Sequence, residues 1–199
     1  MRAALAVLAA ATLAACAPEY DWREVRSTHD GWSAMLPGKP ASLTRRISLD
    51  GLEVPMSMQG ARVGETSFTI ATAELPDDTP ATREKAVAAM RAGMLRNIGA
   101  GAAPAAGAPS AAGVPPATGV PPAPDLRVPV IDAAGTRVGE AGGWSLRASG
   151  NTQGRTMHMH AAFAARGARA WQWVVLGPEV DDEQARTFVG SFRLLQGPR

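Results

Sequence analysis

The sequence predicts an α+β domain, an antiparallel sheet with helices packed on one face, interrupted by a disordered loop of Ala, Pro and Gly. Three observations carry that expectation. Runs of alternating apolar residues bounded by Gly, Pro and Asp occur in both halves of the chain. Apolar residues at helical spacing follow the first set of strands, and a shorter such segment precedes the last strand. Between the halves, residues 99–124 hold ten Ala, seven Pro and five Gly with no charged residue. Hairpins with segregated helices define an α+β arrangement.

Trp32, Ala34 and Leu36 alternate as on a strand, which Pro37-Gly38-Lys39-Pro40 ends. Asp50-Gly51 is a favoured type I′ pair, because that turn needs positive φ at both central residues. A two-residue loop there sets Leu49 opposite Leu52, Ile47 opposite Val54 and Leu43 opposite Met58, all on one face. Pro55 falls opposite Arg46 with its missing N–H pointing away, which marks an edge strand or a break. Residues 67–75 form a further strand around Phe68 and Ile70. Thr79-Pro80 then reads as an N-cap and first-turn proline, and Gly99 stops the helix after Ile98. Val87, Met90, Met94 and Ile98 share one stripe of that helix, with Met as core filler.

Residues 99–124 repeat a five-residue unit, Gly113-Val-Pro-Pro-Ala117 and Gly119-Val-Pro-Pro-Ala123. Such a composition buries too little surface to offset its ordering entropy, so a disordered linker or inserted loop is expected. Strands resume at Leu126–Ile131 and 144–148, with Gly150-Asn151 turning the chain. Residues 156–165 and 168–176 bracket Arg166-Gly167 as a second hairpin, which sets His160 opposite Trp173 and His158 opposite Val175. Asp181, Asp182 and Glu183 lie where a helix N-terminus favours negative charge. Phe188 and Val189 close that helix before a last strand at 191–195. The expected organisation is a signal peptide (1–15), a lipidated N-terminus and tether (16–26), and one α+β domain. The halves of that domain, 27–98 and 125–199, flank the loop.

Of the 199 residues 46% are hydrophobic, but 40 are alanine, so the core rests on a modest set of larger side chains. No run of 18 apolar residues offers a spanning helix. Twenty basic and 18 acidic residues are interspersed, for a net charge of +2, without the basic stripe of a nucleic-acid binder.

Arg2 followed by the apolar stretch 3–15 has the build of a secretory signal, too short to span a membrane. It ends in Leu13-Ala14-Ala15-Cys16, which resembles the lipobox of bacterial prolipoproteins. The resemblance implies cleavage before Cys16 and transfer of diacylglycerol to its thiol, with fatty-acyl (palmitate) chains as the anchor. It implies a periplasm-facing lipoprotein of a Gram-negative envelope. Ala17 in place of Asp after the cysteine implies sorting to the outer membrane. An ordinary signal cut at an A-x-A-like site is the other reading, and it leaves Cys16 a free thiol. Cys16 is the only cysteine, so no intrachain disulfide forms. The expected partners are the membrane, through this lipid, and an envelope protein.

The strand ending at Leu36-Pro37, the Asp50-Gly51 hairpin and the closing helix running into Ser191-Phe192-Arg193 resemble the Mog1/PsbP-like fold of DcrB-like periplasmic lipoproteins. That resemblance implies a fold and no catalytic residue.

Met157-His158-Met159-His160 is the one cluster with metal-ligating side chains. On a strand His158 and His160 share one face and the two methionines the other, so the four do not converge on one ion. His158 and His160 are therefore the metal candidates only as a pair, and no cofactor is expected. Trp171 and Trp173 fall on the histidine face, where aromatic rings favour a ligand groove or the underside of a helix. The sequence holds no G-x-S-x-G elbow, H-E-x-x-H, Walker loop or G-x-G-x-x-G, and Asp77-Asp78 and Asp181-Asp182 are explained as helix caps. The expectation is a non-enzymatic lipoprotein with a binding or envelope-maintenance role. The alternative is a small-molecule or metal-binding module using the His158, His160, Trp171 and Trp173 face.

Overall fold

The computed structural model describes residues 19–100 and 124–196. The signal segment, Cys16 and nearly all of the Ala/Pro/Gly stretch lie outside these. The first half of the chain runs β1 (Arg23–Ser27), β2 (Trp32–Leu36), β3 (Ala41–Leu49), β4 (Leu52–Val63), β5 (Thr66–Glu74) and α1 (Pro80–Asn97). The second runs β6 (Leu126–Ile131), β7 (Arg137–Thr152), β8 (Arg155–Arg166), β9 (Arg169–Gly177), α2 (Asp182–Ser191) and β10 (Arg193–Leu195). β1 begins inside the stretch expected to be tether.

Local chemistry sets several of these elements as the sequence predicts. Asp50 and Gly51 take φ of 52° and 84°, and the Leu49–Leu52, Ile47–Val54 and Leu43–Met58 pairs form. The ladder between β4 and β5 starts at Met56, so Pro55 has no neighbour on that side to miss its N–H. The Thr79 hydroxyl accepts the N–H of Thr82, Pro80 opens α1, and Gly99 at φ 69° follows the Ile98 cap. Val87, Met90, Met94 and Ile98 are all buried. Asp181 caps α2, its carboxylate accepting the N–H groups of Glu183 and Gln184.

Two turns differ from expectation. β7 runs straight through Gly150-Asn151 and turns at Gln153-Gly154, with φ of 52° and 77°. The β8–β9 turn is Gly167-Ala168, so Arg166 pairs with Arg169, His160 with Val175 and His158 with Gly177. A slip of two residues keeps each side chain on its predicted face, since the strand period is two.

All ten described strands join one sheet, in the order β1-β2-β10-β6-β7-β8-β9-β5-β4-β3. Every neighbouring pair is antiparallel except β10 with β6. This overturns the expectation of an antiparallel sheet with helices on one face. Strand makes up 55% of the described residues and helix 18%, in a curled mixed sheet that forms a half-barrel. The two helices also take opposite faces. Met90 and Met94 of α1 pack with Met159, Ala161, Phe163 and Val174, whereas Phe188 of α2 packs with Ala162, Ala164, Trp173 and Val175.

The reason lies in β8 and β9. Ala161, Ala162, Phe163 and Ala164 are buried in succession, as are Trp173, Val174 and Val175. Strands apolar on both faces need a layer on each side. Curling then brings distant strands together. Trp32 of β2 shares a buried cluster with Phe68 and Ile70 of β5, far from β2 in the sheet order. Tyr20 and Trp22 stack at 5.9 Å and both meet Phe68 in a T-shaped arrangement.

Candidate functional site

The turn between β1 and β2 carries Asp30, which is only 6% exposed. Its carboxylate accepts the Ser27 hydroxyl at 2.8 Å and the Ser57 hydroxyl at 2.7 Å, and lies 3.2 Å from His29 Nδ1. Its backbone carbonyl accepts the Trp171 indole N–H at 2.8 Å. Ser57 is on β4 and Trp171 on β9, so one residue ties both ends of the curled sheet together. Desolvation pushes the Asp30 carboxyl up, but the hydrogen bonds from Ser57, Ser27 and His29 outweigh it and hold it below the ordinary Asp value. Asp30 is therefore a buried carboxylate that stays charged.

Beside this turn lies a cleft of about 600 Å³, open to solvent and lined by Gly31, Glu74, Leu75, Arg166, Arg169, Trp171 and Leu194. A smaller cavity of about 300 Å³ lies between α2 and strands β7 and β8, and includes Arg147, His160, Arg186 and Val189.

The predicted His/Trp face exists, but it divides into three parts. Trp173 is sealed in the core, stacked on Phe192 at 4.0 Å with its indole N–H donated to the Val189 carbonyl. Trp171 lines the larger cleft. Of the histidines, His160 reaches the N-terminus of α2 and His158 contacts β7. His158 Nδ1 is 2.8 Å from the Ser149 hydroxyl, and His160 Nε2 is 3.3 Å from Asp182, which also receives Arg147 at 3.3 Å. Met159 faces α1 on the far side of the sheet, as strand alternation requires. Among the described residues no three His, Cys, Asp or Glu side chains form a group that would hold a metal. Cys16, the lipidation candidate, lies outside the described residues.

Burial lowers the His160 pKa, and Arg147 and His158 lower it further against the opposing pull of Asp182. A histidine whose folded value is depressed resists protonation in the native state, so stability is full above the unfolded value of about 6.5. It falls as pH drops from there toward the folded value. His160→Gln is expected to flatten that part of the pH–stability curve, read as denaturation midpoints between pH 5 and 7.5.

Sequence patterns missed Asp30, Arg147, Ser149, Arg166, Arg169 and the second role of Asp182. Arg166 and Arg169 escaped because the expected turn used Arg166 itself, whereas the turn is Gly167-Ala168 and sets the two arginines opposite each other. No protein-family model matches the chain, and no curated protein or solved structure matches it either.

Proposed function

We propose that this protein is a lipid-anchored binding domain of the bacterial envelope, held at the outer membrane through Cys16 and facing the periplasm, with a non-catalytic role. The observation that carries this reading is Leu13-Ala14-Ala15-Cys16 at the end of a short apolar signal. One further feature supports it. Tyr20 and Trp22 pack on Phe68 of the domain, so an anchor at Cys16 lies only a few residues in sequence from the packed fold.

Acyl chains supply the membrane affinity, and several chains anchor far more stably than one. Cys16→Ala is expected to abolish labelling with radioactive palmitate and to shift the protein out of the membrane pellet. A variant that stays fully in the pellet overturns the anchor.

For a small-molecule reading the support comes from one residue of the predicted face. Trp171 borders the larger cleft, whereas Trp173 is closed off and the histidines lie elsewhere.

A further inference from the structure

We propose that the cleft between the β1–β2 turn, the β8–β9 turn and β10 binds an organic anion, a carboxylate or phosphate carried on a small apolar body. This gives the binding reading above its ligand class, and rests on it. The cleft is open to solvent, and its volume of about 600 Å³ has room for a small molecule lying along it.

The charge comes from Arg166 and Arg169, which face each other across the two-residue turn. Like charges directly opposite on a sheet repel. Among the described residues neither guanidinium makes an ion pair or hydrogen bond. Glu74 is the strand neighbour of Arg169 and offsets one of the two, which leaves the rim with an excess positive charge. The planar guanidinium fork matches a carboxylate or phosphate in two parallel hydrogen bonds. A bound anion relieves the repulsion that the fold leaves in place.

The walls suit an apolar body. Leu75, Trp171 and Leu194 are each buried and border the cleft. The Trp171 ring is held by its hydrogen bond to the Asp30 carbonyl, so this wall is formed before any ligand arrives. Gly31 keeps the space open. A Cβ there would stand 3.1 Å from Arg169 Nη1 and 3.7 Å from the Trp171 ring.

The test is calorimetric titration of the full chain carrying Cys16→Ala, which reads ligand uptake apart from membrane attachment. The probes are octanoate, octyl phosphate and octylamine. The two anions are expected to bind, octylamine to fail, and the Trp171 indole N–H resonance to move with the anions. Arg166→Gln with Arg169→Gln is expected to weaken anion binding by roughly tenfold or more, the scale of a lost charge-assisted contact, with an unchanged unfolding midpoint to show that it folds. Sedimentation with phosphatidylglycerol but not phosphatidylcholine vesicles would assign the anion to a lipid headgroup; octanoate binding without it would assign a free metabolite. Equal binding of octylamine, or a double variant that binds as the parent does, overturns the site. Either result leaves Cys16-dependent membrane attachment standing, so the two readings fail separately.

Discussion

Asp30→Ala is expected to cost about 3–5 kcal/mol of stability, the scale of losing a buried charged hydrogen-bond network. For a chain of this size that lowers the melting temperature by roughly 10 °C. The loss is large because two strands, β1 and β4, depend on one carboxylate, in a turn whose backbone carbonyl also holds Trp171 of β9. Ser27 belongs to β1 and Ser57 to β4, and both donate to Asp30. The Trp171 indole donates to the same residue's carbonyl. Removal of the carboxylate leaves two buried or half-buried hydroxyls without their acceptor and frees the turn that pins the sheet ends. Ser57→Ala removes one donor only and is expected to cost about 1–2 kcal/mol. The folded Asp30 value is depressed, so its contribution is present above the unfolded value of about 3.9. It is lost as pH falls through the folded value, and acid unfolding of Asp30→Ala should show a shallower dependence there. Thermal melts followed by near-ultraviolet circular dichroism check both, since Trp171 reports on the clasp.

Gly150→Ala is expected to cost about 3 kcal/mol or more, at the upper end of overpacking effects. Gly150 lies where β7 passes the C-terminus of α1. A Cβ there would stand 1.9 Å from the Ile98 carbonyl oxygen and 3.0 Å from the Ala100 nitrogen. Both are backbone atoms, so no side-chain rotation relieves the clash and the helix end must move. The helix end is constrained too, since a Cβ on Gly99 would meet the Asn151 carbonyl oxygen at 2.3 Å. Gly139→Ala on the same strand meets nothing within 4 Å and is the matched control, expected to be near neutral. Urea denaturation of the pair checks the difference, and equal midpoints would contradict the close approach.

How far the fold was legible depends on the range of each interaction. The Asp50-Gly51 register, the Thr79 cap, the α1 stripe and Leu126–Ile131 are local, and periodicity and turn chemistry fix them. The Gly150-Asn151 pair looks like a turn, yet Gly150 is glycine because α1 presses on it, a contact between distant segments. The side of each helix was likewise not local. Alternation says which residues of β8 share a face, but Ala161 to Ala164 are buried on both faces, and only the assembled sheet shows two layers. The clasp had no sequence signature, because Ser57 and Trp171 reach Asp30 only after the sheet curls. At the candidate site strand alternation places Trp171 on its face, but the pairing of Arg166 with Arg169 was hidden by the two-residue shift of the β8–β9 turn. The cleft they border was hidden as well, since Gly31 and Leu194 come from elements at opposite ends of the chain.

Membrane attachment through Cys16 is the claim on which the functional reading stands. Mass spectrometry of the N-terminal peptide from membrane-extracted protein tests it most directly. The expected result is a peptide that begins at Cys16 and carries diacylglycerol and acyl mass. A mature chain that begins elsewhere, with Cys16 absent or present as a free thiol, would contradict it.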